Sequence, residues 1–400
     1  MTSGAGPNFR SAVHRPDAHD VIVAGAGPAG AMAALVLARA GARVLLIDRA
    51  AFPRAKLCGD SINPGAMAIL ARHGLEAPVR ARALPIIGMR LSGEGVVVRA
   101  TYPAGVSGCS LERRDLDALL LEAAIAAGAR FEGRTRVDGA IVESASNGAR
   151  RVTGVRVAGS SGRVAERRAP VVIAADGRRS TLAFGLGLAR HPSTPRRYAL
   201  GTYFEHVQEL GSEGEMHVRA GHYIGVAPVP GGAANVCVVM PMARLKPRLD
   251  HSTARIVEDT VRSDPMLQDR FAEARRIAPV TVLGPMAVDH HDQDIEGLLV
   301  AGDAAGFVDP ITGDGLRLAL RGAELAAAAV LGGGAVSLRH LRRLRARDIG
   351  GKLRVNLALR TLVDFPAGVR GASLVARACP SLFARLIHYA GDVTAAGPSA

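Results

Sequence analysis

Three separated stretches of the chain place glycine and aspartate where a dinucleotide could be gripped. The first is Gly25-x-Gly27-x-x-Gly30, with Pro28 and Ala29 before its last glycine and Asp48 following about 20 residues on. In such a pattern the first glycine permits a tight turn and the second lets the backbone approach a pyrophosphate. The third lets helix and strand pack closely, and the acid accepts from ribose hydroxyls. A helix opening there adds unpaired N–H groups and roughly half a positive charge toward phosphate. The second stretch, VVIAADGRRSTL (171–182), carries Asp176 and Gly177. The third, GLLVAGDAAGFVDPITGDG (297–315), carries Gly302, Asp303, Pro310, Gly313 and Gly315, with Leu316 next. In a chain with 47 glycines the first pattern alone is weak, and its context is what gives it weight.

Other chemistry-bearing residues cluster in FPRAKLCGD (52–60): Arg54 and Lys56 suit a phosphate, and Cys58 and Gly59 follow. Cys58 reads either as a pocket wall or redox-tuning thiol, or as a small buried hydrophobe. His222, Tyr223, His217 and Tyr203 are acid–base candidates by residue type only, of which His222 and Tyr223 join Cys58 as the catalytic candidates.

The elements needed to position these groups are legible. VIVAGAG is a β-branched run ending in glycines, AGAMAALVLARAG has high helix propensity with Gly41 as a C-cap, and ARVLLID is a second buried strand. Together they make one βαβ unit. Residues 84–110 alternate loosely around turn glycines, and residues 114–128 form a helix. Short strands return at 196–240, residues 252–275 look helical, and 316–331 is a long helix. Because the nucleotide-type pieces are far apart, the first domain is expected to be discontinuous, with a second inserted into it.

The three motifs, in this order, resemble the fingerprints of FAD-dependent oxidoreductases of the p-hydroxybenzoate-hydroxylase-like fold. FPRAKLCGD and DPITGDGLRLAL (309–320) most resemble the geranylgeranyl reductase branch, over roughly residues 18–335. The resemblance implies bound FAD, with Gly25, Gly27 and Gly30 at the pyrophosphate and Asp48, followed by Arg49, at the adenosine ribose. It implies Arg113 of ERRDLD and Asp303 at the ribityl and phosphate region, and Gly313 and Gly315 beside the isoalloxazine ring. Asp176 is there either a cofactor contact or a turn residue. Where related reductases and halogenases carry a tryptophan, GHYIGVAPVP (221–230) has Gly225, and the chain has no Trp at all. Halogenation is therefore not expected, and a wider cavity with a glycine floor is, edged by His222 and Tyr223.

Composition sets further bounds. Lys+Arg exceed Asp+Glu by 50 − 36 = +14, which favours an anionic partner. Nucleic acid is not expected, since aromatics are 4% and no recognised motif occurs. Cys58, Cys109, Cys237 and Cys379 form no C-x-x-C pair, which excludes a zinc ribbon and fits a reducing cytoplasm. Residues 1–17 have no apolar signal core, and no run of about 18 apolar residues could span a bilayer. Residues 335–400 hold 11 basic and 3 acidic residues in amphipathic runs. They read as a peripheral membrane-surface segment or as a packed helical cap.

The expectation is thus an α/β fold: a Rossmann-like FAD-binding domain (18–83, 111–185 and 281–335), an inserted mixed or antiparallel β substrate domain (84–110 and 186–280), and a basic helical C-terminal segment (336–400) after a flexible tail (1–17). No metal site is expected. The expected activity is reduction of a C=C bond in an isoprenoid or lipid-like substrate by hydride from flavin N5, with NAD(P)H or a small reductase as donor. The alternatives are an FAD/NAD(P)H-dependent monooxygenase acting on an aromatic or phenolic lipid, and a flavoprotein that only carries electrons.

Overall fold

A strand covered on both faces must be apolar at every position, and Val21–Ala24, Val44–Ile47, Val171–Ala174 and Leu298–Val300 all meet that requirement. In the computed structural model they lie side by side. The structure describes residues 18–393 except 145–147, 160–161, 194–196, 249–251, 292, 294 and 334–337. The expected tail, residues 1–17, lies outside it. The parallel sheet runs Leu298–Val300, Val171–Ala174, Val21–Ala24, Val44–Ile47, Arg130–Glu132.

Alternation along these strands sorts their side chains into two cores. Val21, Val23, Val44, Leu46 and Ile173 pack with apolar residues of the helices Pro28–Arg39, Arg113–Ala126 and Gly315–Leu331. Ile22, Ala24, Leu45, Ile47 and Val172 pack on the other side against the antiparallel sheet of Arg136–Ser144, Arg150–Ala158 and Val164–Arg168. The result is a three-layer α/β unit.

A larger mixed sheet gathers strands from distant parts of the chain. Its order is Arg275–Arg276, Arg197–Glu205, Ala233–Pro241, His222–Val229, Glu213–Arg219, Gly88–Gly93, Val96–Thr101, and Thr281–Leu283 also pairs with Arg197–Glu205. Gly88–Gly93 and Glu213–Arg219 pair in parallel, and the other pairings are antiparallel. This sheet joins residues 88–101 to 197–241, and Thr281–Leu283 belongs to it rather than to the parallel sheet.

The C-terminal segment forms three helices, Leu338–Asp364, Pro366–Ala378 and Pro380–Gly391, the last two opened by proline, which is preorganised for a first turn. They fold back onto the body. Lys352 Nζ donates to the carbonyls of Tyr389 (2.6 Å) and Ala390 (2.9 Å), so a buried cation ties off the end of the last helix. No helix among the described residues is long and apolar enough to cross a membrane.

Candidate cofactor and substrate site

The glycine loop is shaped by backbone approach. Gly25 has φ +97°, and a Cβ on it would lie 2.5 Å from the Ala175 carbonyl oxygen; a Cβ on Gly30 would lie 1.7 Å from that of Gly25. These two glycines are demanded by the fold itself. Gly27 differs: its Cβ would meet only Arg54 Nη2, at 3.6 Å. The protein therefore leaves open space at the start of the helix Pro28–Arg39, where Ala29 and its neighbours present backbone N–H groups. Asp48 holds the loop, accepting from Ala26 N and Ala50 N, both at 2.8 Å. Arg49 is exposed beside it.

The other motifs converge on this loop. Gly302 has φ +60°, and a Cβ there would come within 2.9 Å of Ala29 Cβ, so the third motif packs directly on the first. Asp176 Oδ2 accepts from Thr181 N at 2.8 Å and caps the next helix, while Gly177 turns the chain with φ +83°. Asp303 shares its surroundings with two cations. Burial, then the field of Arg113, lowers the Lys56 pKa, with Asp303 opposing. Burial brings Arg178 down to about 10, again against Asp303. Lys56 and Arg178 are thus desolvated positive charges that both feel the Asp303 carboxylate, Lys56 also that of Asp117. That arrangement suits a diphosphate.

Arg113 opens the helix Arg113–Ala126. Its guanidinium is buried and doubly bonded to Asp117, Nε to Oδ1 at 2.8 Å and Nη2 to Oδ2 at 2.9 Å, with Arg54 Nη1 on the same carboxylate at 3.1 Å. Burial opposes the charge, but Asp117 and then Cys58 hold it well protonated. Arg113 therefore supports Cys58 and the 52–60 segment from beneath.

Beside Cys58 lies an acid that the sequence reading did not single out. Asp60 is fully buried with φ +53° and accepts from Tyr203 Oη (2.7 Å), Asn235 Nδ2 (2.7 Å) and Arg113 N (3.1 Å). Asn235 Nδ2 also donates to the Cys58 carbonyl at 2.9 Å. Burial pushes Asp60 up to about 6 despite these donors, and pushes the neighbouring Cys237 up to about 12. The C-G-D run, an acid just after a cysteine and a glycine, was the available signal.

The DPITGDG loop is fastened by a second buried network. Asp309 accepts from Tyr223 Oη, and Arg197 Nη1 stands 3.6 Å from its other oxygen. Arg197 Nη2 bonds Asp364 at 2.5 Å, and Asn356 Nδ2 donates to the Asp309 carbonyl and to Thr312 Oγ1, both at 2.7 Å. Burial raises the Asp309 pKa against Arg197. Pro310 follows, Gly313 turns with φ +66°, and Cβ atoms on Gly313 or Gly315 would meet nothing within 4 Å, so this loop too faces open space. Leu316 is buried in the helix that follows.

Next to Ile311, Thr312 and Gly313 opens an apolar cavity of about 290 Å³. Its floor is the mixed sheet (Met89, Leu91, Val98, Met216, Val218), and its roof is the inner face of the C-terminal helices (Leu362, Val369, Ala376, Phe383, Ile387).

Neither His222 nor Tyr223 edges this cavity, and Gly225 does not floor it. Tyr223 is spent on Asp309. Successive residues of His222–Val229 face opposite sides of the sheet, so His222 opens onto the far face. Met216, paired across the strands with Gly225, lines the cavity instead, and its Cε lies 4.0 Å from where a Gly225 Cβ would be. His217 is fully buried between Ser92 and Glu215. Among the described residues no group of His, Cys, Asp and Glu could hold a metal.

Comparisons with known proteins agree with this geometry. Residues 18–342 match the family described as FAD binding domain. The chain is 30% identical over 330 residues to menaquinone reductase of Mycolicibacterium smegmatis, covering 79% of this chain and 77% of that one. It is 31% identical over 329 residues to digeranylgeranylglycerophospholipid reductase of Methanosarcina mazei, covering 78% and 74%. In fold it matches a flavin-dependent brominase (TM-score 0.80, 19% identity, 94% and 95% covered). It also matches a geranylgeranyl bacteriochlorophyll reductase-like protein of Thermoplasma acidophilum (TM-score 0.75, 22% identity, 88% and 90% covered). With a glycine loop that leaves room for a diphosphate and a match spanning most of its length, this chain belongs to the FAD-binding family of oxidoreductases and is an FAD-dependent enzyme.

Proposed function

We propose that the enzyme reduces C=C bonds in an isoprenoid or similarly lipid-like substrate. The observation that carries this reading is the apolar cavity that ends at the 311–313 loop, roofed by helices whose inner faces offer it mainly aliphatic and aromatic groups, with the Ser373 hydroxyl already accepting from Glu94 N at 3.1 Å. A polyprenyl chain would bury there against a predominantly apolar lining. The names of the curated relatives support the same substrate class.

Gly25, Gly27, Pro28, Ala29, Gly30 and Asp48 would hold the adenosine diphosphate half of FAD. Arg54, Lys56, Gly59, Arg113, Asp176, Gly177, Gly302, Asp303, Pro310, Gly313, Gly315 and Leu316 would surround the rest. Bound FAD, reduced by NAD(P)H or a small reductase, supplies the electron pair. The chain's own residues position and exclude. Lys56 and Arg178 neutralise phosphate, and the Asp309 network fixes the loop between cofactor and cavity. Cys58, held through its carbonyl by Asn235, would present its thiol to the reacting region. The cavity wall keeps water from the alkene.

The outer face of the C-terminal helices supports membrane contact. Phe365 (60% exposed), Leu374 (65%) and Leu382 (56%) project outward, among exposed Arg370, Arg377 and Arg385. The same helices roof the cavity, so a lipid substrate drawn from an acidic bilayer would cross only one layer of protein.

The test is a single turnover under argon. With flavin reduced chemically, a geranylgeranyl lipid should gain two hydrogens per bond reduced, without oxygen. Product that forms only after air is admitted, carrying oxygen from O₂, would replace this reading with a monooxygenase.

A further inference from the structure

On the face of the mixed sheet away from the apolar cavity, a second pocket of about 270 Å³ is lined by His222, Met240, Arg244, Arg248, Thr260 and Ser263. Its chemistry is one-sided. Arg248 Nη1 donates to Thr260 Oγ1 at 3.2 Å, and Arg244 Nη1 lies 3.4 Å from His222 Nδ1. Neither guanidinium has a carboxylate partner among the described residues. The nearby acids are engaged elsewhere: Asp264 with Arg219 at 2.7 Å, Glu258 with Arg276 at 3.0 Å, and Asp259 with Arg255 at 4.0 Å.

His222 reports the same excess of positive charge. Burial, then Arg244 and Arg219, brings it down to about 4 against Asp264, so at neutral pH the ring is uncharged beside Arg244. The backbone makes room for this arrangement. Gly221 has φ +78°, and a Cβ on it would lie 2.8 Å from Arg244 Cζ. Two guanidinium groups, neither paired with a carboxylate among the described residues, match the donor pattern that recognises a phosphate.

We propose that this pocket binds a phosphate group, held by Arg244 and Arg248. Two sources share that chemistry: the headgroup of a phospholipid and a free phosphate monoester. The pocket's position bears on the first. Gly221 N donates to the Val363 carbonyl at 3.3 Å, and both Val363 and Val218 line the apolar cavity. The turn that leads into His222 is thus bonded to the helix that walls the cavity. Naming a lipid headgroup rests on the lipid-substrate reading above; the phosphate site itself does not.

The experiment is calorimetric titration of the FAD-loaded full chain with glycerol 3-phosphate and with dihexanoyl phosphatidate below its micelle concentration, glycerol serving as the uncharged control. Wild type should bind at least one phosphate ligand and not glycerol. R244Q/R248Q should weaken binding at least tenfold, and R244K/R248K, keeping charge without the fork, should fall between. Flavin content and melting temperature confirm that each variant is folded, and G221A, whose methyl would press on the Arg244 guanidinium, should also weaken binding. Tenfold tighter binding of the phosphatidate assigns the lipid headgroup, and equal affinity assigns the free phosphate. No binding by wild type, or R244Q/R248Q within twofold of it, overturns the proposal. The titration involves no turnover, so its failure leaves the reductase reading standing, and failed alkene reduction leaves the titration valid.

Discussion

At the glycine loop the wall of the site is backbone, contributed by one short stretch and the two turns packed on it, Ala175–Asp176 and Gly302. In the apolar cavity the wall is side chain, drawn from segments as distant as Ile62, Met216, Ile311 and Phe383. A backbone wall tolerates no added atom where chains touch and any atom where they do not. A side-chain wall can be reshaped by volume without disturbing what lies next to it. The two regions should therefore fail differently when changed.

The sharpest contrast lies within the loop. Gly30→Ala pushes a methyl into the Gly25 carbonyl, 1.7 Å away, so it should cost folding itself, several kcal/mol on the scale of about 1–3 for overpacking and more for rigid backbone. Soluble yield and urea unfolding would show it. Gly27→Val meets only the movable Arg54 side chain at 3.6 Å. The apoprotein should unfold within about 1 kcal/mol of wild type, like an ordinary surface change, yet retain less than a tenth of the FAD. If Gly27→Val keeps its flavin, the open space over Gly27 is not the phosphate seat.

Next in size is the pH response of Asp60. Its folded pKa, near 6 against 3.8, means the folded state binds the proton more tightly. Its contribution is complete below the unfolded pKa and is lost as pH rises through about 6, by up to about 3 kcal/mol at 1.36 per unit. Glu215 and Glu324, held down to about 2 by their donors against burial, act oppositely: their stability is present above 4.5 and lost as pH falls. The stability of wild type relative to D60N, measured by urea unfolding, should thus fall by up to about 3 kcal/mol from pH 4 to pH 7. A constant gap would mean the carboxylate is not penalised by burial.

On the side-chain-built side, Ala376→Phe narrows the cavity from its roof. It should lower kcat/KM for a long prenyl substrate about tenfold while FAD content stays at the wild-type level, since a filled pocket costs roughly 1–3 kcal/mol of binding. Loss of flavin in that variant would show that cavity and cradle are not independent. The smallest effect belongs to the outer surface. Replacing Arg370 and Arg385 by Gln should reduce co-sedimentation with acidic vesicles by about 1 kcal/mol per charge, and the difference should vanish at high salt. Deleting the segment would be a poorer test, because Asn356 and Asp364 tie it to the core through Asp309 and Arg197.

What could be read without coordinates was local and periodic. The apolar runs of the parallel strands, the glycines at fixed offsets and the acid after the second strand each express a constraint met within a few residues of itself. Gly25 and Gly30 are required by contacts of the loop and the turn beside it, so their spacing carries the whole message. Asp309 and Asn235 carry none in isolation, and Asp60 only the C-G-D run in which it stands. Each is an ordinary polar residue until the mixed sheet brings Tyr203 and Asn235 to Asp60, and Tyr223 and Arg197 to Asp309. The roles of His222 and Tyr223 turned on strand alternation, which sends neighbours to opposite faces, and only the pairing partners of that strand decide which face meets the cofactor side. The basic C-terminal run showed its charge in sequence. That one side of it roofs a cavity and the other carries exposed leucines among arginines depends on how three helices fold back over a sheet whose strands come from elsewhere, and only the tertiary structure decides that.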